Sequence, residues 1–369
     1  MTDAKPKKMR VLIVDDSSFM RKVLEKMIAS DPQLEVAGQA CDGNEAVAMA
    51  AKLQPDVITM DINMPRMDGL EATRCIMAQS PKPIVIVSSE SREGTKETLR
   101  ALELGAIDFV SKPTSAIDLD MQSVSAELLR KLRVAAKVRV VRTASLANLP
   151  PRPVETASRN AQVQPGGGVE PNFPIVVNAA STGGPATLMK LVPNFRKDFP
   201  AAVLLAQHIP STFTAQLSVQ LGEATGLRVK EAEANEMIQA GTLYVCPGSH
   251  HMRVSASGRV LLDDGPRING YLPCADVTFE SAAQYGEERV VALVLTGMGN
   301  DGALGVQAVK KRGGWVIAQD EATSVVFGMP AEAIRTGVVD QILGMNDIYA
   351  AVEKRVERIL KQLQPMVTR

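Results

Sequence analysis

A serine, a histidine and an aspartate follow apolar runs in the second half of the 369-residue chain. Ser181 follows PIVVNAA, His208 follows AAVLLAQ, and Asp301 stands in the glycine-rich stretch after VVALVLTG. A serine hydroxyl becomes a nucleophile when a histidine takes its proton and a carboxylate orients that histidine. These residue types therefore allow acyl chemistry, provided that the fold brings them together.

The turn that Ser181 opens, STGGP, also suits two other roles. Its backbone N–H groups could bind a phosphate at a helix N-terminus, or the serine could cap the helix that follows. The motifs G-x-x-x-x-G-K-[ST], G-x-G-x-x-G and G-x-S-x-G are not found at this stretch. No common motif therefore decides between a nucleophile and an anion-binding loop.

The base and the orienting acid come from a small set of candidates. The chain has three histidines; His208 directly follows a predicted parallel strand, whereas His250 and His251 fall in a Pro-Gly-Ser stretch that predicts turn or surface roles. Asp301 lies among glycines whose backbone freedom could point N–H groups at an oxyanion. Asp320, which ends the run WVIAQD, is the rival acid, although a turn before the next helix suits it better.

A second set of chemically active side chains ends the apolar runs of the first half. Its members are Asp15, Asp16, Asp61, Ser88 and Lys112. Parallel strands bring their carboxyl ends to one edge of a sheet, where clustered carboxylates would repel one another without a cation. Oxygen ligands of this kind suit Mg²⁺, and a lysine with a nearby hydroxyl would hold a phosphate. The pattern therefore predicts a Mg²⁺ and phosphate site.

The elements that must position these residues are predicted from the apolar runs. Over residues 9–113, five short Val- and Ile-rich strands alternate with helical patterns, which indicates a flavodoxin-like, doubly wound α/β domain. From residue 173 the strands PIVVNAA, AAVLLAQ, RVVALVLTG and GWVIAQD predict a second, larger α/β domain with a parallel sheet. Pro-Gly and Ser-Gly breaks over residues 241–265 predict antiparallel hairpins inserted into it.

The segment between the two halves is predicted to be a helix followed by a linker. An amphipathic pattern covers residues 118–134, and residues 142–172 are rich in Pro, Gly, Ser, Ala and Asn. Basic residues where the two meet, such as Lys131 and Arg133, are expected on a solvated helix face or in the linker. No nucleic-acid-binding motif accompanies them.

The first half resembles the receiver domain of bacterial response regulators, over residues 9 to about 125. The matching stretches are VLIVDDS, DVITMDINMPRMDGLEAT, VSSES and DFVSKP. The resemblance implies that Asp61 is the phosphoacceptor. It also implies that the Mg²⁺ ligands are Asp15, Asp16, Asp61 and the Asn63 backbone carbonyl, that Ser88 and Lys112 contact the phosphoryl group, and that Phe109 is the aromatic switch residue.

The second half, behind this receiver and linker, resembles the chemotaxis protein-glutamate methylesterases. AASTGGP, LLAQHIP and VLTGMGNDGA carry the resemblance, which covers essentially the full chain. It implies that Ser181 is the nucleophile, His208 the base and Asp301 the residue that orients the base. Thr182 and Met298 match positions that line the active site, and the Met298 backbone is implicated in the oxyanion hole.

The family resemblance implies hydrolysis of glutamate γ-methyl esters on chemoreceptor helices, with release of methanol, and deamidation of certain receptor glutamines. The expected division is a receiver over 9–126, a linker over 127–172 and a catalytic domain over 173–364. Mg²⁺ serves the receiver, and no metal is expected for the esterase step. A chemotaxis histidine kinase is the expected phosphodonor, and the unphosphorylated receiver is expected to cover the Ser181 edge.

Charge and composition argue against several other protein classes. Lys and Arg together number 41, as do Asp and Glu, so the basic surplus typical of a DNA-binding output domain is absent. No apolar run is long enough to span a bilayer, and the N-terminus lacks a signal-like apolar region, so a cytoplasmic protein without membrane insertion is expected. The four scattered cysteines are expected to be buried free thiols. A non-catalytic anion-binding module remains the rival hypothesis, and it would not need His208.

Overall fold

Two parallel sheets with helices on both faces form the protein, seen in a computed structural model that describes residues 7–88, 91–112, 120–138 and 173–363. The predicted α/β class with two doubly wound sheets is confirmed. Of the linker predicted over 127–172, residues 139–172 lie outside the described residues. None of the helices in the described ranges is long and apolar enough to cross a bilayer.

The first sheet has five strands in the order β2-β1-β3-β4-β5. Successive strands are added to the sheet in one direction before this point and in the other after it, so the strand order reverses between β1 and β3, which is where doubly wound sheets place their ligands. The elements are β1 (Met9–Val14), α1 (Ser18–Ala29), β2 (Leu34–Ala40), α2 (Gly43–Leu53), β3 (Val57–Met60), α3 (Gly69–Gln79), β4 (Ile84–Ser88), α4 (Arg92–Glu103), β5 (Asp108–Ser111) and α5 (Asp120–Ala135).

Each of the first four helices around this sheet has a side-chain cap at its N-terminus, which fixes where the loop before the helix ends. Ser17, Asp42, Asp68 and Ser91 each accept a hydrogen bond from a backbone N–H in the first turn of the helix they precede. Such a cap stabilises a helix by about 1 kcal/mol. The strand-end residue Asp15 is thereby left outside α1, at the edge of the sheet.

The second sheet has seven strands in the order β14-β13-β12-β6-β7-β9-β8, all paired in parallel. The elements are β6 (Ile175–Ala180), α6 (Gly184–Leu191), β7 (Ala202–Gln207), α7 (Ser211–Ala224), β8 (Arg228–Glu231), β9 (Thr242–Val245), β10 (His251–Val254), β11 (Val260–Asp263), α8 (Ala275–Gly286), β12 (Val290–Val294), α9 (Ala303–Lys311), β13 (Trp315–Gln319), α10 (Met329–Arg335), β14 (Gln341–Leu343) and α11 (Met345–Leu363). The strand order reverses between β6 and β12, as it does between β1 and β3 in the first sheet.

Only part of the region predicted as inserted hairpins forms a hairpin. β10 and β11 do form an antiparallel hairpin. Thr242–Val245, however, belongs to the main sheet, where it pairs in parallel with β7 and β8. All four of its residues are buried, and a strand buried on both faces suits the interior of a parallel sheet rather than a hairpin with one solvated face.

His251 corrects a sequence prediction, since the turn or surface role expected for it is wrong. It begins β10 and is fully buried. Its Nδ1 accepts a hydrogen bond from the Cys274 N–H at 3.1 Å, and its Nε2 lies 3.1 Å from the Pro266 carbonyl oxygen. These partners fix a neutral ring with the proton on Nε2. His250, in contrast, does lie in a turn.

Helix α5 also differs from its predicted solvated basic face. Lys131 is only 9% exposed, and its ammonium contacts Asp108 at 3.0 Å, Glu127 at 2.8 Å and the Phe109 carbonyl at 2.6 Å. Burial opposes its charge, but the two carboxylates outweigh burial and raise its pKa. Leu132, on the same helix, is fully buried in the core beneath the first sheet.

The two sheets are joined through the β5 side of the first and the α6–α7 side of the second. The Phe109 ring lies against the Phe213 ring of α7, with 4.2 Å between centroids. Helix α4 packs on α6 and α7, and one apolar cluster runs through both halves of the chain. The receiver-like half therefore covers part of the second domain.

Candidate active site and phosphorylation site

Strand pairing brings Ser181 and His208 side by side at the carboxyl edge of the second sheet. Ala180 of β6 is paired with Gln207 of β7, so the two residues that follow the pair are neighbours. The His208 N–H donates to the Ala180 carbonyl at 3.0 Å. On the other side, the Ser181 N–H donates to the carbonyl of Thr296, just past β12, at 3.0 Å.

Asp301 joins this edge and is held there by a helix N-terminus. Its Oδ2 lies 2.7 Å from His208 Nε2 and accepts the Ala275 N–H at 2.6 Å, while Oδ1 accepts the Asp276 N–H at 2.9 Å. Burial would raise the pKa of Asp301, but the hydrogen bond and charge of His208 and the two α8 N–H groups outweigh burial and lower it. The carboxylate is therefore ionised, buried and fixed in place.

The contact with Asp301 determines which nitrogen of His208 can act as a base. A carboxylate only accepts, so Nε2 carries the proton and the lone pair lies on Nδ1. This nitrogen assignment follows from the hydrogen-bond partners. The His208 side chain is 13% exposed, so solvent reaches one side of a largely enclosed ring.

The loop carrying Ser181 is held by its backbone. Gln207 Nε2 donates to the Ser181 carbonyl at 3.0 Å, and the Thr296 hydroxyl donates to the Thr182 carbonyl at 3.0 Å. Gly297 lies against the serine, since a β-carbon there would stand 2.8 Å from Ser181 Cβ. Met298 is the next residue along the chain.

The receiver-like half reaches this site directly. The Thr182 hydroxyl donates to Asp108 Oδ2 at 2.5 Å, and the Gly183 N–H donates to the Ile107 carbonyl at 3.2 Å. Arg130 of α5 lies 3.6 Å from the sulfur of Met298. Thr182 and Gly183, which follow Ser181, are thus in contact with the start of β5, and Met298 is in contact with α5.

The second predicted site assembles at the carboxyl edge of the first sheet. Lys112 Nζ lies 3.0 Å from Asp15 Oδ2 and 2.8 Å from Asp61 Oδ1. Carboxylate oxygens of Asp15, Asp16 and Asp61 lie within 4.8 Å of one another. Burial, with the charge of Asp15, raises the pKa of Asp61 despite the lysine. Oxygen donors at this spacing, in a setting that disfavours their negative charge, fit Mg²⁺.

The other receiver residues singled out from sequence lie around this edge. The Ser88 hydroxyl is 3.4 Å from the Gly94 carbonyl oxygen of α4, and its own carbonyl accepts the Lys112 N–H at 2.7 Å. Asn63 is exposed, two residues after Asp61. Phe109 is turned into the interface with Phe213, so it is buried.

Comparisons with known proteins support the family resemblance of each half of the chain. A CheB methylesterase family profile matches residues 176–352, and a response regulator receiver profile matches residues 11–123. A protein-glutamate methylesterase/protein-glutamine glutaminase of Symbiobacterium thermophilum is 44% identical over 96% of this chain and 99% of its own. The chain belongs to the CheB methylesterase family.

The comparisons also give a second full-length relative and a crystal structure similar to the second half. The protein of the same name from Pyrococcus horikoshii is 45% identical over 96% of this chain and 95% of its own. A crystal structure of the Thermotoga maritima CheB methylesterase catalytic domain is 40% identical, covers 49% of this chain and 98% of that chain, and has a TM-score of 0.48.

Several residues of this CheB family member were not identified from sequence although they hold the site together. Gln207 fixes the serine loop, Asp108 contacts it from the first domain, and Tyr271 stacks on His208. Asp320, the rival acid, instead accepts hydrogen bonds from Thr323 within a turn. The position of Gln207 directly before His208 was the one available signal.

Proposed function

We propose that this chain is a phosphorylation-regulated hydrolase that removes methyl groups from glutamate γ-methyl esters of chemoreceptors and deamidates specific receptor glutamines. The hydrogen bond between His208 and buried Asp301, beside Ser181, is the observation that carries the proposal. The substrate side chains lie on cytoplasmic receptor helices, so the protein acts in the cytoplasm. The receiver spans residues 9–126, and the catalytic domain spans residues 173–364.

The proposed reaction starts with attack of Ser181 Oγ on the ester carbonyl while His208 Nδ1 takes the hydroxyl proton. Asp301 stabilises the imidazolium that forms, and the Met298 N–H stabilises the oxyanion. His208 returns its proton to the leaving methoxide, and methanol departs. Water then hydrolyses the glutamyl-enzyme with His208 again as base. For a glutamine the same steps release ammonia.

The receiver takes its phosphoryl group on Asp61 from a chemotaxis histidine kinase. Asp15, Asp16, Asp61 and the Asn63 carbonyl would hold Mg²⁺, which when bound neutralises the charge of the incoming phosphoryl group. Lys112, which already contacts Asp61, would pair with a phosphoryl oxygen, and the Ser88 hydroxyl would donate to another. Pairing with the phosphoryl group would thus move the side chains of Lys112 and Ser88, which lie next to β5 and α4.

The structure corresponds to the closed arrangement in this proposal. Phe109 and Asp108 both contact the catalytic domain, at Phe213 and Thr182. Phosphorylation replaces the single charge of the Asp61 carboxylate with a phosphoryl group that carries about −1.5 to −2 charge units. A shift of β5, as Lys112 at its end pairs with the phosphoryl group, would break the contacts of Phe109 and Asp108 and open the serine edge, which shifts the population between closed and open states.

The proposal is tested by methanol release from methylated chemoreceptor, with and without Mg²⁺ and the small phosphodonor acetyl phosphate. We expect the full chain to release methanol and the donor to raise the rate by about 5- to 150-fold, the range of typical coupling energies. The variant Asp61→Asn is expected to keep the basal rate and lose the activation. Absence of methanol release by the phosphorylated full chain would contradict the esterase function, and equal activation of Asp61→Asn would contradict control through Asp61.

The interface contact predicts a gain of activity without phosphorylation. Asp108→Ala removes the carboxylate that accepts the Thr182 hydroxyl, a hydrogen bond to a charged group that contributes about 1.5–3 kcal/mol. It also leaves the buried Lys131 with Glu127 as its remaining carboxylate partner. We expect basal methanol release to rise by about 10-fold. Asp56→Ala is the matched control, since the Asp56 carboxylate accepts the Arg10 N–H within the first sheet. A folded Asp108→Ala chain with an unchanged basal rate would argue against the contact as an inhibitory one.

A further inference from the structure

The face of the His208 ring is covered by an aromatic side chain from a different part of the domain. Tyr271 lies in the segment between β11 and α8, and its ring is stacked on the imidazole with 4.8 Å between centroids and 19° between planes. Tyr271 is half-buried. A parallel ring at this distance restricts rotation of the imidazole about its χ2 torsion.

The hydroxyl of Tyr271 ties the same side chain to the loop that carries Asp301. It accepts the Asn300 N–H at 3.3 Å and lies 3.3 Å from Asn300 Oδ1, to which it donates. A β-carbon at Gly299 would stand 2.0 Å from this hydroxyl, so the position needs glycine for Tyr271 to fit. One side chain therefore contacts both the catalytic histidine and the residue before its acid.

The segment that carries Tyr271 is anchored in the interior on both sides. Ile268 and Tyr271 exchange backbone hydrogen bonds of 3.0 and 2.9 Å. The buried ring of His251 bonds to Pro266 on one side of this turn and Cys274 on the other. The tyrosine ring is thus held before any substrate arrives.

The contacts of the His208 ring then come from two directions. Asp301 fixes its edge through Nε2, and Tyr271 fixes its face. On the proposed reaction path the ring becomes an imidazolium, and the face of an aromatic ring attracts a cation. Resting on the esterase function proposed above, we propose that Tyr271 is a positioning residue that holds His208 with Nδ1 toward Ser181.

The test compares Tyr271→Leu, which removes the stacked ring, with Tyr271→Phe, which keeps it and loses only the hydroxyl. In the phosphorylated full chain we expect Tyr271→Leu to lower kcat by about 10- to 100-fold, as small misplacements of catalytic groups do, with KM near the wild-type value. Tyr271→Phe should restore most of kcat. Tyr349→Leu is the control. Tyr349 lies in α11 and packs on Phe195, so this variant should leave kcat unchanged.

A second measurement does not need substrate. NMR of the imidazole N–H protons should show a protected His208 Nε2–H signal, assigned by its loss in His208→Gln, in the wild type and in Tyr271→Phe. Tyr271→Leu should lose this signal to solvent exchange. The buried His251 Nε2–H, which faces the Pro266 carbonyl, should persist in all the chains and serves as an internal reference.

The outcomes separate the two proposals. An unchanged kcat and a protected signal in Tyr271→Leu would overturn the positioning role. Equal loss of kcat in the Phe and Leu variants would assign the effect to the hydroxyl, and a raised KM alone would assign it to substrate contact; either result overturns the role of the stacked ring. If the wild type released no methanol, the esterase function would fail while the N–H signals still tested the positioning of His208.

Discussion

Replacing Ser181 with alanine is expected to lower kcat for methanol release by about 10⁵- to 10⁶-fold, the loss typical of removing a serine nucleophile. The remaining donors would still bind the ester, but no covalent glutamyl-enzyme could form. The serine loop is held through its backbone, by Thr296 and Gln207. Alanine keeps those groups, so the variant should fold, and its thermal unfolding should match that of the wild type.

The matched control for this variant is another serine of the same domain whose neighbour is a histidine. Ser249 Oγ lies 2.8 Å from His250 Nδ1 on an exposed turn. Ser249→Ala therefore removes a serine hydroxyl that lies beside a histidine, and we expect it to leave methanol release unchanged. Retention of activity within about 10-fold in Ser181→Ala would contradict the nucleophile, since this loss is far below that of nucleophile removal. Loss in Ser249→Ala instead would move the active site to the β9–β10 turn.

Asp301→Asn is expected to lower kcat by about 10⁴-fold, as an amide does when it replaces the carboxylate that orients a catalytic histidine. The amide N–H₂ facing His208 would donate to Nε2 and so place the ring proton on Nδ1. Nδ1 would then have no lone pair for the Ser181 proton. Measured as kcat with saturating substrate, the loss should appear without a comparable change in KM.

We also expect Asp301→Asn to lower the stability of the fold. A control variant separates this loss of stability from the loss of activity. Both Asp301 oxygens accept backbone N–H groups of α8, so an amide N–H₂ must face a donor whichever way it is turned. We expect a loss of about 1–3 kcal/mol in the free energy of unfolding. Asp320→Asn keeps the acceptor oxygen used by Thr323 and should leave both rate and stability unchanged. A large loss of activity in Asp320→Asn would favour the rival acid.

Much of the fold could be predicted because parallel strands buried on both faces leave a strong apolar signature. The strand-end rule then placed Ser181, His208 and Asp301 on one edge without any knowledge of contacts. The rule worked because β6 and β7 are paired in register to their last residues. It says nothing about which nitrogen of the histidine faces the acid.

The errors arose where tertiary contacts override local sequence. The local sequence around Lys131 suits a solvated helix face, yet Lys131 is buried. Asp108 from β5 and Glu127 from the same helix together satisfy its charge. His251 follows turn residues but is buried because Cys274 and Pro266 provide its partners. No window of sequence around either residue contains all of these partners, so periodicity could not reveal them.

The order of strands along the chain has a consequence for how the protein is made. The receiver sheet is complete once β5 ends at Ser111, whereas the catalytic edge needs β12 beside β6, and contacts such as that of Thr296 with Thr182 span 114 positions. Domains near the N-terminus fold first during synthesis, and long-range parallel pairing is slow. The receiver surface that we propose to be inhibitory therefore exists before the serine site does. A newly synthesised chain is expected to be under control from the moment its active site forms.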